Sequence, residues 1–289
     1  MLGTWNIVVG TLRVPTVPQE SIMHRWLAIS IILTFVISTA VAEPREEDVA
    51  FTSRLDKSEQ RYVVIFPTDF KAESSRDLLI ALHGHGSDRW QFVRQTRGEC
   101  KAARDTASKH QMLLASPDYR AKTSWMGPKA EADVVQIIED LRKKYTIQRV
   151  FISGGSMGGT GALTFAARQP TLVHGVVALN GTANLLEYAQ FSEAIAESFG
   201  GEKSKIPEEY KARSAEYWPE RLTMPIAFTT GGKDKAVPPE SAIRLHGVLQ
   251  QLKRPVLLIH RESGGHDTSY EDSMAAFNFA IEKSSAFKR

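Results

Sequence analysis

Seven short apolar runs recur along the chain from residue 62 onward, and most of them are continuous rather than alternating. Continuous runs bounded by turn residues are typical of strands that are covered on both faces, as in a parallel sheet. The sequence therefore predicts strands at residues 62–67, 78–83, 112–117, 150–153, 175–180, 226–230 and 256–260.

Amphipathic helical patterns separate these strands. Residues 131–145 place one apolar stripe on a helix, with charged residues on the opposite side, and residues 240–252 and 270–283 behave similarly. Alternating strands and helices predict an α/β fold with a mostly parallel sheet flanked by helices. The polar stretch 182–222 predicts a small insertion over the carboxyl edge of the sheet, where open α/β folds bind ligands.

Composition narrows the class of protein. The 289 residues are 42% hydrophobic and 24% charged, as in ordinary globular proteins. The net charge of +3 is spread out, and no basic block interleaved with aromatic residues indicates a nucleic-acid partner. Cys100 is the only cysteine, so an intramolecular disulfide is impossible.

The N-terminus resembles a targeting segment. His24 and Arg25 precede a short apolar core at 26–38, and an Ala-x-Ala ending follows at Ala40 and Ala42. This pattern predicts a secretory signal peptide at 23–42, with 1–22 an over-extended start and 43–289 one mature domain. The protein is then secreted or periplasmic. An uncleaved anchor is the alternative, and only that alternative gives the protein a membrane partner.

A glycine-rich turn joins the strand at 150–153 to a helix-forming segment. It does not contain the Lys-Ser/Thr of a phosphate-binding loop, and no frame through it gives G-x-G-x-x-G. It does contain G-x-S-x-G, with Ser156 between Gly154 and Gly158. Such a turn presents a serine hydroxyl above the sheet, at the N-terminus of a helix. The sequence therefore predicts that Ser156 is a nucleophile and that the N–H of Met157 stabilises an oxyanion.

A nucleophilic serine needs a base, and the base needs an acid that fixes its tautomer. Asp234 follows the strand at 226–230, and His266 follows the strand at 256–260 in a second glycine-rich loop. Their order along the chain, Ser, Asp, His, is the one expected of a fold in which the nucleophile lies on such a strand-to-helix turn. We therefore expect Asp234 and His266 to complete a catalytic triad.

The loop after the strand at 78–83, "LHGHGSD", offers a second oxyanion donor. The N–H of His85 is the expected donor, and Gly86 is the alternative. The same loop could suggest a metallo-hydrolase through His83, His85 and Asp88. That interpretation lacks the remaining ligands of an H-x-H-x-D-H site, so no metal and no cofactor is predicted.

These motifs together give a family resemblance. "LHGHGSD", "ASPDYR", "RVFISGGSMGG", "GGKDKAVP" and "GGHD" resemble motifs of the α/β-hydrolase superfamily. The chain is most similar to the esterase D, feruloyl esterase and polyhydroxyalkanoate depolymerase-like branch, with dienelactone hydrolase and prolyl oligopeptidase-like relatives. The resemblance implies the same triad and backbone donors, without implying a substrate.

The residues and the resemblance together predict a secreted serine hydrolase that acts on a small-molecule or polysaccharide-linked carboxylic ester. A serine peptidase of the prolyl oligopeptidase-like type without a propeller remains an alternative, as does a non-catalytic binding protein. Trp125 follows the strand at 112–117 and is a candidate for stacking on an aromatic or sugar substrate.

Overall fold

The predicted apolar runs form neighbouring strands of one sheet. The computed structural model describes residues 44–120 and 122–286. The strands are β1 (Glu46–Thr52), β2 (Glu59–Ile65), β3 (Arg76–Leu82), β4 (Leu113–Pro117), β5 (Ile147–Gly155), β6 (Gly175–Leu179), β7 (Ile226–Gly231) and β8 (Val256–Arg261). They lie in the order β1-β2-β4-β3-β5-β6-β7-β8. Each of the seven predicted strands is present, and only β1 was not predicted.

Strand direction divides the sheet into two parts. β1 pairs with β2, and β2 with β4, in the antiparallel sense. The other neighbours, from β4 through β3 to β8, are all parallel. Every residue of β4, β6 and β7 is buried, which explains why these runs are continuously apolar. The parallel part brings the carboxyl ends of β3 and β5–β8 to one edge.

Helices cover both faces of the sheet. They are α1 (Gln91–Arg94), α2 (Gly98–Lys109), α3 (Pro128–Lys144), α4 (Met157–Arg168), α5 (Ser192–Phe199), α6 (Pro207–Ala212), α7 (Glu240–Gln251) and α8 (Tyr270–Ala286). Alternate residues of β3 join opposite cores: Leu78 and Ile80 pack with α3, α4 and α7, whereas Leu79 packs with α2 and α8. The predicted fold class is therefore confirmed.

The predicted insertion at 182–222 lies between β6 and β7. It contains α5, α6 and two 3₁₀ turns, Ala215–Tyr217 and Pro219–Arg221. The predicted over-extended start at 1–22 and the predicted signal peptide at 23–42 lie outside the described residues. Within 44–120 and 122–286, no helix has both the length and the apolar character that crossing a membrane requires.

Candidate active site

Ser156 occupies the turn between β5 and α4, as predicted from its motif. Its backbone angles are φ 58° and ψ −118°, a region that residues with side chains rarely adopt. Its N–H donates to the carbonyl of Leu179 at 2.8 Å, which ties the strained residue to β6. The turn therefore holds the serine in one conformation at the carboxyl edge of the sheet.

Two glycines make this turn possible. A Cβ at Gly158 would lie 2.1 Å from the carbonyl oxygen of Leu82, on β3. A Cβ at Gly154 would lie 2.5 Å from the backbone of Gly158 itself. Since real Cβ atoms do not approach backbone atoms so closely, any larger residue would push α4 away from the sheet.

His266 and Asp234 meet Ser156 from two other strand ends. Nε2 of His266 lies 2.8 Å from Oγ of Ser156, and its Nδ1 lies 2.6 Å from Oδ2 of Asp234. These three residues are far apart in sequence, but they follow β5, β7 and β8 at the same edge. The structure thus brings the three predicted triad residues within hydrogen-bond distance of one another.

The Asp234 carboxylate is fixed by its surroundings. Its side chain is only 1% exposed, and Oδ1 accepts hydrogen bonds from the N–H groups of Ala236 and Val237, both at 2.9 Å. The other oxygen, Oδ2, is left for His266. A buried carboxylate held in this way can orient an imidazole and stabilise its protonated form.

The hydrogen-bond partners of the backbone N–H groups in the loop after β3 distinguish the two candidate oxyanion donors, His85 and Gly86. The N–H of Gly86 donates to the carbonyl of Lys122 at 2.6 Å, and that of Gly84 donates to Oε1 of Gln91 at 2.8 Å. The N–H of His85, between them, is not paired with an acceptor of the described residues. Met157 opens α4, where an N–H has no partner within the helix. The hydrogen bonding therefore favours His85 over Gly86.

The loop that carries His266 has a support that the sequence motifs did not indicate. Thr268 donates its hydroxyl to Oδ1 of Asn180, and its Oγ1 lies 2.7 Å from that of Thr229. Nδ2 of Asn180 lies 3.4 Å from the carbonyl of Gly265, next to His266. Asn180 has φ 49°, which asparagine tolerates better than most residues. Its position directly after β6 is the one sequence signal that could have identified it.

A cavity of about 420 Å³ opens beside Ser156 and His266. It is lined by His85 and, from the predicted insertion, by Phe191. Trp125 is fully buried and does not line the cavity, which corrects the expectation that it stacks on a substrate. Instead, Nε1 of Trp125 donates to Nδ1 of His85 at 3.2 Å, and its ring contacts Phe191. Trp125 therefore supports the cavity wall from behind.

The metal alternative has no structural support in the β3 loop. Both ring nitrogens of His83 face backbone carbonyls, Nδ1 that of Gly84 at 2.8 Å and Nε2 that of Asp118 at 3.1 Å. In the described part of the chain, no group of three or more His, Cys, Asp and Glu residues is arranged to hold a metal ion.

Solved structures share this fold. FphF, a fluorophosphonate-binding serine hydrolase of Staphylococcus aureus, is 17% identical with a TM-score of 0.65, over 83% of this chain and 98% of its own. S-formylglutathione hydrolase (FrmB) of the same organism is 17% identical with a TM-score of 0.61, over 83% and 99%. Acylaminoacyl peptidase of Pyrococcus horikoshii is 17% identical with a TM-score of 0.64, over 84% and 41%. The chain thus spans less than half of that peptidase.

Sequence comparison identifies the family. No curated protein matches the chain. The family model of the prolyl oligopeptidase family, Peptidase_S9, matches residues 119–282, which is more than half of the chain and includes Ser156, Asp234 and His266. With its α/β-hydrolase fold, the protein is a serine hydrolase, and the chain belongs to the prolyl oligopeptidase family.

Proposed function

We propose that the protein hydrolyses carboxylic esters, with Ser156 as nucleophile, His266 as general base and Asp234 as the acid that orients it. The continuous chain of hydrogen-bond contacts from Ser156 Oγ to His266, at 2.8 Å, and on to Asp234, at 2.6 Å, carries this proposal. Geometry of this kind activates a hydroxyl that is otherwise a poor nucleophile at neutral pH.

The reaction proceeds through an acyl-enzyme. Nε2 of His266 accepts the Ser156 proton as Oγ bonds to the ester carbonyl carbon, and the N–H groups of Met157 and His85 donate to the resulting oxyanion. The carbon–oxygen bond to the alcohol then breaks, and the alcohol leaves with the proton from His266. Water then attacks the carbonyl carbon of the acyl-enzyme in the same way, with His266 as the base. The bond to Ser156 Oγ breaks, Ser156 regains its proton from His266, and the acid is released. Side chains and backbone N–H groups carry every step, so no cofactor is proposed.

A peptide substrate is the second candidate, because the family is named for an oligopeptidase. The chemistry of the leaving group favours an ester, because an alcohol leaves a tetrahedral intermediate more readily than an amine. We therefore propose a small-molecule or polysaccharide-linked ester as the substrate.

Labelling with a fluorophosphonate probe tests the triad, because such a probe needs an activated serine but little substrate specificity. We expect one modification at Ser156, located by mass spectrometry. His266→Ala should abolish it, whereas His246→Ala, a histidine of α7 outside the cavity, should label at the wild-type rate. A folded wild-type protein that fails to label would refute the assignment. Matched ester and amide substrates then decide between esterase and peptidase.

Secretion is a separate proposal. It is supported by the basic, apolar and Ala-x-Ala segments at 23–42. We expect the extracellular or periplasmic protein to begin at Glu43, which N-terminal sequencing would check. A protein that keeps residues 23–42 would support the alternative of an uncleaved anchor.

A further inference from the structure

One contiguous segment supplies most of the polar side chains that line the cavity beside Ser156. It runs through the loop before α1, α1 and the start of α2, and we call its lining residues the polar wall: Ser87, Gln91, Gln95, Arg97 and Glu99. The proposed chemistry uses none of the polar side chains on this wall, so their role is open.

Arg97 and Glu99 form an ion pair on the polar wall. Nη2 of Arg97 lies 2.9 Å from Oε1 of Glu99. The Glu99 side chain is 6% exposed, whereas that of Arg97 is 53% exposed. The buried carboxylate therefore anchors one edge of a guanidinium whose remaining N–H donors are not paired with acceptors of the described residues. An arginine held in this way is oriented before any ligand arrives.

The pair lies close to the nucleophile. A Cβ at Gly155, the residue before Ser156, would lie 3.1 Å from Oε1 of Glu99. The contacts therefore run from Ser156 through its neighbour to Glu99 and then to Arg97. Ser156, Glu99 and Arg97 line the same cavity, so a substrate whose carbonyl sits at Ser156 can extend toward the guanidinium.

The accessible charge on the wall is positive. Glu99 is the one carboxylate among the cavity-lining residues that the structure describes, and it is almost inaccessible. Arg97 is thus the permanent cation that a ligand can reach.

We infer that Arg97 binds a carboxylate carried by the substrate, and hence that the preferred esters are anionic ones. The inference rests on the proposed ester hydrolysis and adds a substrate class to it. A planar guanidinium matches a carboxylate with two parallel N–H···O hydrogen bonds, and Gln95 offers a neutral amide donor on the same wall. The carboxylate can belong to the acyl part or to the leaving group.

Two pairs of esters, each a carboxylate and its methyl ester, test this inference. The first is 4-nitrophenyl hydrogen adipate against 4-nitrophenyl methyl adipate, with the charge in the acyl part. The second is 4-acetoxybenzoate against its methyl ester, with the charge in the leaving group. For at least one pair, the wild-type kcat/KM should favour the anionic ester about tenfold, since one charge-assisted contact contributes about that much. The preference should shrink as salt is added, because Arg97 is half exposed.

Arg97→Gln should remove the preference mainly by raising KM for the anionic ester. The neutral ester should change by no more than about twofold, since Arg97 does not touch the reacting atoms. Arg97→Lys keeps the charge but not the two parallel N–H donors of the guanidinium, so it should show part of the wild-type preference. Arg94→Gln is the matched control. It removes the same charge from a 58% exposed arginine that pairs with Glu46 outside this cavity, and the preference should stay.

Fluorophosphonate labelling of each variant separates this inference from the proposed function. A wild-type protein that labels at Ser156 but shows no preference in either pair overturns the anionic-substrate inference alone. Equal losses on neutral and anionic esters in Arg97→Gln, with slower labelling, would also overturn it. That result would mean that Arg97 acts only through Glu99 and the turn. No labelling of the wild type would instead remove the proposed function on which the inference rests.

Discussion

The substitution Asp234→Asn tests the catalytic geometry most sharply, because the structure determines how the new amide must orient. Oδ1 of Asp234 accepts two backbone N–H groups, from Ala236 and Val237. An asparagine that turned its NH₂ toward them would leave these donors unpaired in a buried site. That orientation costs on the order of 1–3 kcal/mol for each donor. The amide oxygen of the new asparagine therefore keeps accepting the hydrogen bonds of these two backbone N–H groups.

The amide NH₂ then faces Nδ1 of His266, which must accept a hydrogen bond instead of donating one. The ring proton moves to Nε2, the atom 2.8 Å from Ser156 Oγ, and His266 can no longer take the serine proton. In serine hydrolase triads, a wrong tautomer of this kind lowers kcat about 10⁴-fold. That factor corresponds to about 5.5 kcal/mol of transition-state stabilisation.

Steady-state hydrolysis of 4-nitrophenyl acetate and the rate of fluorophosphonate labelling measure the effect. Thermal unfolding checks that the variant is folded. Asp267→Asn is the control, since Asp267 is adjacent to His266 but exposed, and we expect its kcat within about threefold of wild type. If folded Asp234→Asn kept more than about a tenth of the wild-type kcat, Asp234 would not be the orienting acid.

Three further predictions concern stability and reactivity. Gly158→Ala should lower the free energy of unfolding in urea by about 3 kcal/mol or more, because its Cβ would meet Leu82. Gly247→Ala in α7, with open space around it, should raise that free energy by about 0.5–1 kcal/mol, and equal effects of the two substitutions would contradict the packing argument. Burial raises the pKa of Cys100 to about 12, so iodoacetamide at about pH 8 should label it only after unfolding, and rapid native labelling would contradict its burial. Burial also raises the pKa of Glu99 in the folded protein, so this carboxyl ionises at a lower pH in the unfolded chain than in the folded one. The free energy of unfolding should therefore fall as pH rises from about 4 toward the pKa of the folded state. Glu99→Gln should not show this pH-dependent fall in stability. If the difference in stability between Glu99→Gln and the wild type were constant with pH, the prediction would be wrong.

The sequence predicted the strands and helices well because their signals are local. Strands buried on both faces must be continuously apolar, and helices on a sheet must be apolar on one stripe. Among the strands the exception is β1, whose residues alternate between exposed and half-buried and include three acidic side chains. It becomes a strand because β2 pairs with it along its whole length. That pairing is not encoded in the apolar pattern of residues 46–52.

The sequence by itself also determined the turn at Ser156, since its glycines are required by contacts that any such turn makes. It also placed Asp234 and His266 at the same edge of the sheet as Ser156, because the carboxyl ends of parallel strands lie together. Only the tertiary structure decided which N–H groups beside Ser156 have no acceptor among the described residues, that Trp125 lies behind His85, and that the Arg97–Glu99 ion pair lines the cavity. Hydrogen-bond partners and burial depend on residues distant in the chain, and a local pattern carries no information about them.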